Sequence, residues 1–275
     1  MSKLKLNILN IIVIFSLSSI ALRAQFGFTA AKGPDSISKG AYVANSTGIG
    51  SMLNNQAGLT QLDNFGVILA VEQRFLLSEL NIASAGLAYN AHGLGVFGFV
   101  LSNFSFDAFT EQKFGFAYAR DLFSNLAVGA QLDYLSTRID GFGSQSAVTF
   151  EIGVQSRINE KLQIGAHIFS PVQAELTDGD EIPSKYNFGL RYSANEFIDA
   201  IIEVEKIIDE EFSINAGVQY QLIDRMYLNL GSSTNPTRIS FGIAYGINEN
   251  TSFGLAASNH EILGLSPSVG VQYEK

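Results

Sequence analysis

The sequence predicts an all-β fold, a transmembrane antiparallel β-barrel of about 14 strands. Short stretches in which large apolar residues alternate with Gly, Ala, Gln or Arg recur along the chain, as in residues 114–118 and 241–245. A period of two places the large apolar groups on one face of a strand. Six of the stretches end in a tyrosine: Tyr89, Tyr118, Tyr192, Tyr220, Tyr245 and Tyr273. An apolar outer face with an aromatic residue at one end is typical of strands that cross a membrane.

Composition argues against several other classes of protein. The chain has no cysteine, and its histidines at 92, 167 and 260 are far apart, so no disulfide, metal site or cofactor is expected. A net charge of −9 without a cluster of Lys or Arg argues against nucleic-acid binding. Mean hydropathy is nevertheless positive. A barrel reconciles the positive mean hydropathy with the negative net charge, because its apolar residues are spread over every second position.

Residues 1–24 have the pattern of a secretory signal peptide, so we expect the mature chain to begin near Gln25. Two lysines precede an apolar run over residues 8–20, and Ala24 and Gln25 form a plausible cleavage site. The competing interpretation is a retained anchor. The run is, however, shorter than the roughly 20 residues that a helix needs to cross a bilayer.

The barrel is expected over residues 65–275, preceded by a separate segment over residues 25–64. Alternation predicts strands over residues 66–75, 81–91, 94–104, 113–121, 125–139, 146–157, 161–169, 185–193, 197–208, 211–222, 225–232, 237–246, 250–258 and 266–273. An even number of strands returns the chain to the side of the membrane where it started.

The connections between the predicted strands support an outer-membrane location. Every second connection is a tight turn rich in Asn, Asp or Gly, whereas the others are more variable and contain four of the five prolines. Short turns on one side and longer loops on the other are typical of the periplasmic and external faces of such barrels. We therefore expect lipid around the barrel and the six tyrosines at its periplasmic edge. The alternative, a soluble β-sandwich or solenoid, would carry more charge on its polar face.

Charged residues on the strands are expected to face the lumen. A charge on the lipid side costs about 2–4 kcal/mol for Arg or Lys near the midplane. The residues assigned to the lumen in this way are Glu72, Arg74, Asp133, Glu151, His167, Arg191, Asp199, Glu203 and Glu205. The alternative for some of them is a strand end, the headgroup region or a loop. The strand at 197–208 is the least regular, because Ile201 and Ile202 interrupt its alternation.

Two short motifs before the first strand resemble a known family. Residues 39–44 read Lys-Gly-Ala-Tyr-Val-Ala and residues 55–59 read Asn-Gln-Ala-Gly-Leu. They are similar to the GGAYVA and NPAGL motifs of FadL-type long-chain fatty-acid transporters and of the related PorV/PorQ-like outer-membrane barrels of Bacteroidota. Gln56 stands where the family has proline. Residues 231–237, 241–243 and 262–265 near the C-terminus also resemble these barrels.

The resemblance implies a barrel of fourteen strands with an N-terminal hatch in its lumen. The expected hatch residues lie in the two motifs or directly before the second: Tyr42, Asn54, Asn55, Gln56, Ala57, Gly58 and Leu59. It also implies one of two functions. The first is a passive conduit for small hydrophobic ligands, with Phe26, Phe28, Tyr42, Met52 and Leu53 along an apolar path. The second is a non-transporting structural or type IX secretion-accessory protein with an envelope protein as partner. The sequence does not separate the two.

Motifs for chemistry are weak, and no catalytic residue is expected. Residues 93–98 match G-x-G-x-x-G but open a predicted strand instead of a helix, so they do not predict a nucleotide site. The acidic residues at 178–181 lack the spaced ligands of a calcium-binding loop.

Overall fold

A computed structural model describes residues 32–172, 174–177 and 180–275 of the chain. The predicted signal peptide, the predicted cleavage site, Phe26 and Phe28 lie outside the described residues. Within these ranges, no helix combines the length and the apolar character that crossing a membrane requires.

The described chain forms a closed antiparallel barrel of fourteen strands, which confirms the predicted fold class. In chain order the strands are β1 (Phe65–Gln73), β2 (Asn81–Asn90), β3 (Val96–Phe106), β4 (Phe109–Phe123), β5 (Leu126–Ile139), β6 (Gly143–Arg157), β7 (Leu162–Phe169), β8 (Glu175–Thr177), β9 (Asp180–Glu181), β10 (Lys185–Ser193), β11 (Ile198–Ile207), β12 (Ser213–Ile223), β13 (Met226–Ser233), β14 (Arg238–Gly246), β15 (Thr251–His260) and β16 (Gly264–Glu274). Each barrel strand pairs with its neighbours along the chain, and β1 pairs with β16 to close the barrel.

Short helical elements precede the barrel. The helix α1 spans Pro34–Lys39, and two 3-10 helices span Gly48–Leu53 and Gln56–Gln61. Proline begins α1, where its missing N–H costs nothing, and Gly40 ends it at φ 68°, a conformation that suits glycine. Asn55 caps the second 3-10 helix by accepting a hydrogen bond from the backbone N–H of Ala57.

Every predicted strand corresponds to a barrel strand, and the differences lie at the ends. The strands β4 and β6 begin earlier than predicted, because the preceding hairpins are tight and use positive φ at Asp107, Gly141 and Gly143. Arg74, predicted on the first strand, lies instead in a 3-10 turn at Arg74–Leu76. The short hairpin of β8 and β9, in the connection between β7 and β10, was not predicted.

Burial alternates along the strands with the period that the sequence predicts. On β3 the exposed residues Phe97, Phe99 and Leu101 alternate with buried Val96 and Val100. On β11, where the sequence pattern is interrupted, Ile201 is 3% exposed and Ile202 is 50% exposed. The strand thus keeps its alternation by burying one isoleucine on the inner face. The outer face of the barrel is consequently rich in exposed Leu, Ile, Val and Phe.

The six tyrosines lie towards one rim, which we call the terminal rim because β1 begins and β16 ends there. Backbone hydrogen bonds of 2.9 and 2.8 Å join Phe65 to Lys275 at this rim.

The turns of the terminal rim are fixed by asparagine side chains. Asn159, Asn195 and Asn248 each accept hydrogen bonds from the backbone N–H groups two and three residues further on.

Three of the connections at the opposite rim are shorter than the sequence suggests. Residues 107–108, 140–142 and 261–263 form hairpins as tight as those of the terminal rim. The connection at residues 170–184 is long. Among its described residues, Leu176 and Ile182 pack with Leu135 and Ala147 on the inner wall. Part of the opening at this rim is therefore covered.

Candidate functional site in the barrel interior

Residues 33–62, which we call the N-terminal segment, lie inside the barrel. The helix α1 packs against β12 to β16, the first 3-10 helix against β1 to β3 and β16, and the second against β4 to β6. These strands surround the barrel axis, so a segment that contacts all of them crosses the interior. Most of its side chains are buried. The segment and the wall groups that hold it form the candidate functional site.

One side of the interior is apolar. Residues on the inner faces of β1 to β4 form an apolar strip that runs from the opposite rim to the terminal rim. The strip consists of Ile68, Ala70, Ile82, Ala88, Val96, Val100, Ala117 and Ala119. Five side chains of the N-terminal segment cover it: Ile49, Met52, Leu53, Leu59 and Leu62. Since both sides of this contact are apolar, its formation removes apolar surface from water.

The next part of the wall holds a buried ionic cluster. Lys113 Nζ contacts Glu151 Oε1 and lies 3.6 Å from Asp133 Oδ2. His167 Nε2 is 2.8 Å from Glu151 Oε2. Gln56 of the N-terminal segment donates its amide N–H to the same oxygen at 2.8 Å. The cluster therefore joins the segment to β4, β5, β6 and β7 through a single carboxylate.

A second polar group holds the segment on the other side of the barrel. Glu203 Oε2 accepts hydrogen bonds from the backbone N–H groups of Tyr42 and Val43 at 2.9 and 2.8 Å. Asn187 donates to Glu203 Oε1 at 2.7 Å and to Glu205 Oε2 at 3.0 Å. Glu205 pairs with Lys185 at 2.6 Å. Both carboxylates are thus satisfied, and one of them binds backbone groups of the segment directly.

Asn55 and Gln155 tie the middle of the segment to the wall. Asn55 Nδ2 donates to the carbonyl oxygens of Val43, Val154 and Ala166 at 2.8, 3.2 and 3.3 Å. Gln155 Nε2 donates to the carbonyl oxygens of Val43 and Ser46 at 3.1 and 2.9 Å. The carbonyl groups of Val43 and Ser46, which lie outside the barrel strands, are satisfied in this way.

The remaining predicted hatch residues, Asn54 and Ala57 to Leu59, hold the segment's own shape. Asn54 Nδ2 donates to Ser36 Oγ at 2.9 Å and to the carbonyl oxygen of Gly50 at 3.0 Å. A Cβ on Gly58 would collide with the carbonyl oxygen of Ser46. Ala57 and Leu59 are fully buried. The motif at residues 55–59 therefore combines wall contacts with close packing inside the segment.

Some residues that the sequence assigned to the lumen lie apart from these clusters. Arg191 pairs with Asp199 at 2.8 Å, and Ser193 donates to Asp199 at 2.7 Å. Arg74 Nε lies 3.9 Å from Glu72 Oε1. Three others, Asp133, Glu151 and His167, meet in one cluster, and Glu203 and Glu205 meet in the other.

Sequence reasoning missed the two lysines that neutralise these clusters, Lys113 and Lys185. The alternation of the strand could have located Lys113 in the lumen, because Lys113 alternates with Phe114 and Phe116 as Glu151 does with its apolar neighbours. It also missed Gln131, which donates to Asp133 at 2.8 Å. Among the described residues, no group of three or more His, Asp or Glu is arranged to hold a metal ion.

Two cavities flank the N-terminal segment. The inner cavity, about 1030 Å³, opens towards the terminal rim and is lined by residues such as Asp35, Lys39, Arg191 and Gln272. The outer cavity, about 430 Å³, lies towards the opposite rim and includes Glu72, Arg74, Lys185 and Arg238. Lys32 and Ser36 line both, so the segment separates them. The lining of the inner cavity is more polar than apolar, and that of the outer cavity is about equally polar and apolar. The apolar strip lies beneath the segment instead of forming an open groove.

A scan against protein-family models found no match, and a search of curated proteins found no relative. Solved structures with the same architecture were found. One is the CymD monoaromatic hydrocarbon channel, with a TM-score of 0.69 and 13% identity over 91% of this chain and 99% of that chain. Another is the toluene transporter TbuX of Ralstonia pickettii, with a TM-score of 0.68 and 13% identity over 90% and 99%. A FadL homologue from Pseudomonas aeruginosa has a TM-score of 0.65 and 9% identity over 88% and 98%. The chain therefore has the barrel fold of these channels.

Proposed function

We propose that the protein is an outer-membrane barrel through which small hydrophobic molecules diffuse passively. The observation that carries the proposal is the apolar strip, which follows the inner wall over the height of the barrel. A water-filled pore has a polar interior. An apolar inner wall instead favours apolar solutes, since their transfer from water to an apolar surface is favourable. The apolar outer face of the barrel supports lipid as its surroundings.

Similarity of fold supports the same class of cargo. CymD is described as a monoaromatic hydrocarbon channel and TbuX as a toluene transporter. We extend this cargo class to the present chain as part of the proposal. Nothing in the comparisons or in the described residues favours the structural or secretion-accessory alternative, and we do not propose it.

We propose further that the N-terminal segment is a hatch and that the predicted charged residues face the lumen. The hydrogen bonds of Gln56, Asn55, Tyr42 and Val43 to the wall support a segment held in a closed position. The apolar strip is covered in this position. Passage along the strip then requires the two 3-10 helices to move away from β1 to β4.

Uptake of labelled toluene tests the conduit. The purified protein is placed in vesicles whose outer leaflet is lipopolysaccharide, because toluene crosses a plain phospholipid bilayer without help. Initial uptake is compared with protein-free vesicles and with vesicles that contain a general porin. We expect faster uptake with the protein than with either control. Equal rates in all three would remove the conduit.

A reversible cross-link tests the hatch. Asn55 Cγ lies 3.1 Å from the position of a Cβ on Gly153, so cysteines at these two positions are within reach of an S–S bond of about 2.04 Å. The chain has no other cysteine. With Asn55→Cys and Gly153→Cys combined, we expect uptake to fall on oxidation and to return on reduction. The two single variants are the controls, and unchanged uptake on oxidation would remove the hatch while leaving the conduit.

A further inference from the structure

The outer cavity has a lining that differs from the apolar strip. The part of the cavity nearest the opposite rim is lined by two arginines and two aromatic rings: Arg74, Arg238, Phe75 and His260. Further towards the terminal rim, the lining contains a row of hydroxyl groups from residues in register on β14, β15 and β16: Ser240, Ser258 and Ser266. Cationic groups, aromatic rings and hydroxyls thus surround one space of about 430 Å³, which is within the usual range for small-molecule sites of roughly 300–1,000 Å³.

The two arginines have unused hydrogen-bond donors. The Arg238 side chain makes no hydrogen bond or ion pair with any residue in the described part of the chain. Glu72 and Glu205 attract its charge, and Arg74 repels it. Arg74 is 3.9 Å from Glu72, beyond hydrogen-bond distance. Glu205 is already paired with Lys185. Glu205 and Glu210 also line the cavity, and Glu111 interacts electrostatically with Arg74. These carboxylates leave guanidinium donors of both arginines without a hydrogen-bond partner, and an added anion would accept from these donors.

The backbone at residues 75 and 76 is strained, and the Phe75 ring belongs to the lining of the outer cavity. Phe75 and Leu76 have φ values of 56° and 55°, which are unusual for bulky residues. The backbone N–H of Phe75 donates to Ser266 Oγ at 3.0 Å. The Phe75 ring meets the His260 ring edge-on, with centroids 6.1 Å apart. Strain of this kind is often associated with binding sites.

His260 supplies a further donor. Its Nδ1 accepts the backbone N–H groups of Ile262 and Leu263 at 3.1 and 3.3 Å. In the neutral ring, the proton is therefore on Nε2. This N–H has no partner among the described residues and belongs to a ring that lines the cavity.

We propose that the outer cavity binds a small aromatic carboxylate, with its carboxylate on Arg74 and Arg238 and its ring beside Phe75 and His260. The planar guanidinium matches the geometry of a carboxylate, and the edge-on pair of rings offers faces for a third ring. This inference deepens the proposed function and rests on it for entry of the ligand into the barrel.

Titration calorimetry of the detergent-solubilised protein with benzoate tests the proposal. Arg238→Gln removes one cation, and the matched control is Arg138→Gln, which changes an exposed arginine paired with Asp140 in the β5–β6 hairpin at the same rim. We expect the benzoate dissociation constant to rise about tenfold or more in Arg238→Gln, as for a lost hydrogen bond between charged groups. It should not change in Arg138→Gln. The uptake of toluene, which has the ring without the carboxylate, should be unaffected by either change.

Equal benzoate affinity in Arg238→Gln and the wild type would overturn the proposal, as would the absence of benzoate binding to the wild type. These results leave toluene uptake untouched, so they are distinct from failure of the conduit. A parallel loss of affinity in Arg138→Gln would also overturn it, because the effect would then reflect the charge of the rim as a whole.

Discussion

The carboxylate of Glu203 on β11 binds the backbone N–H of Tyr42, a residue 161 positions earlier in the chain, at 2.9 Å. The N–H of Val43 donates to the same oxygen. A wall side chain thus fixes the loop between α1 and the first 3-10 helix without using any side chain of that loop. The bond depends on an acceptor at residue 203, whatever the local sequence at 42 and 43.

Glu203→Ala should loosen the N-terminal segment while leaving the barrel closed. Two backbone N–H groups lose their partner, and hydrogen bonds to a charged group contribute about 1.5–3 kcal/mol each. We expect faster hydrogen exchange at residues 42–46 and unchanged exchange in β14 and β15. Glu261→Ala, a change at an exposed rim residue, is the control. Unchanged exchange at 42–46 in Glu203→Ala would show that other contacts hold the loop.

Lys113→Met should be strongly destabilising, because it leaves Asp133 and Glu151 buried without their common cation. Removal of one partner from a buried ionic group costs about 3–5 kcal/mol. The combined change Lys113→Met, Asp133→Asn and Glu151→Gln should recover most of the loss, since the uncompensated charges are gone. Urea unfolding in lipid vesicles measures both variants. If the triple variant is no more stable than Lys113→Met, the loss reflects packing and not charge.

The sequence predicts the wall better than it predicts the interior. Alternation locates every barrel strand, and the asparagines at 159, 195 and 248 locate turns, because both signals act over a few residues. The contact of Gln56 with Glu151 has no such signal, since it joins residues 95 positions apart. Arg74 was misplaced because the positive φ of Phe75 ends the strand earlier than alternation suggests.

The apolar strip was also readable in part. Residues 67–71 read Val-Ile-Leu-Ala-Val, a continuous apolar run, and such runs indicate strands that are covered on both faces. The inner face of β1 is indeed covered by the N-terminal segment. What the sequence lacks is the identity of the covering residues, which depends on how the segment crosses the barrel.

Gly58→Ala should disturb the N-terminal segment more than Gly98→Ala. A Cβ at 58 would collide with the backbone oxygen of Ser46, which the fold holds in place. At 98 a Cβ would meet the end of the flexible Met52 side chain, which can move to another rotamer. Limited proteolysis of the folded barrel should therefore cut the segment faster in Gly58→Ala alone. The reverse order of sensitivity would mean that Met52, and not the turn at Ser46, determines the position of the segment.

Val100→Thr should slow toluene uptake, because it places a hydroxyl group in the apolar strip without a change in size. Val100 is 1% exposed beneath the N-terminal segment. An apolar solute that follows the strip then meets a polar group, and burial of a hydroxyl without a hydrogen-bond partner costs about 1–3 kcal/mol. Val148→Thr is the matched control, since Val148 is 58% exposed on the outer face. We expect several-fold slower uptake in Val100→Thr and wild-type uptake in Val148→Thr. Equal uptake in the two variants would mean that apolar solutes cross the barrel by a route that does not touch β3.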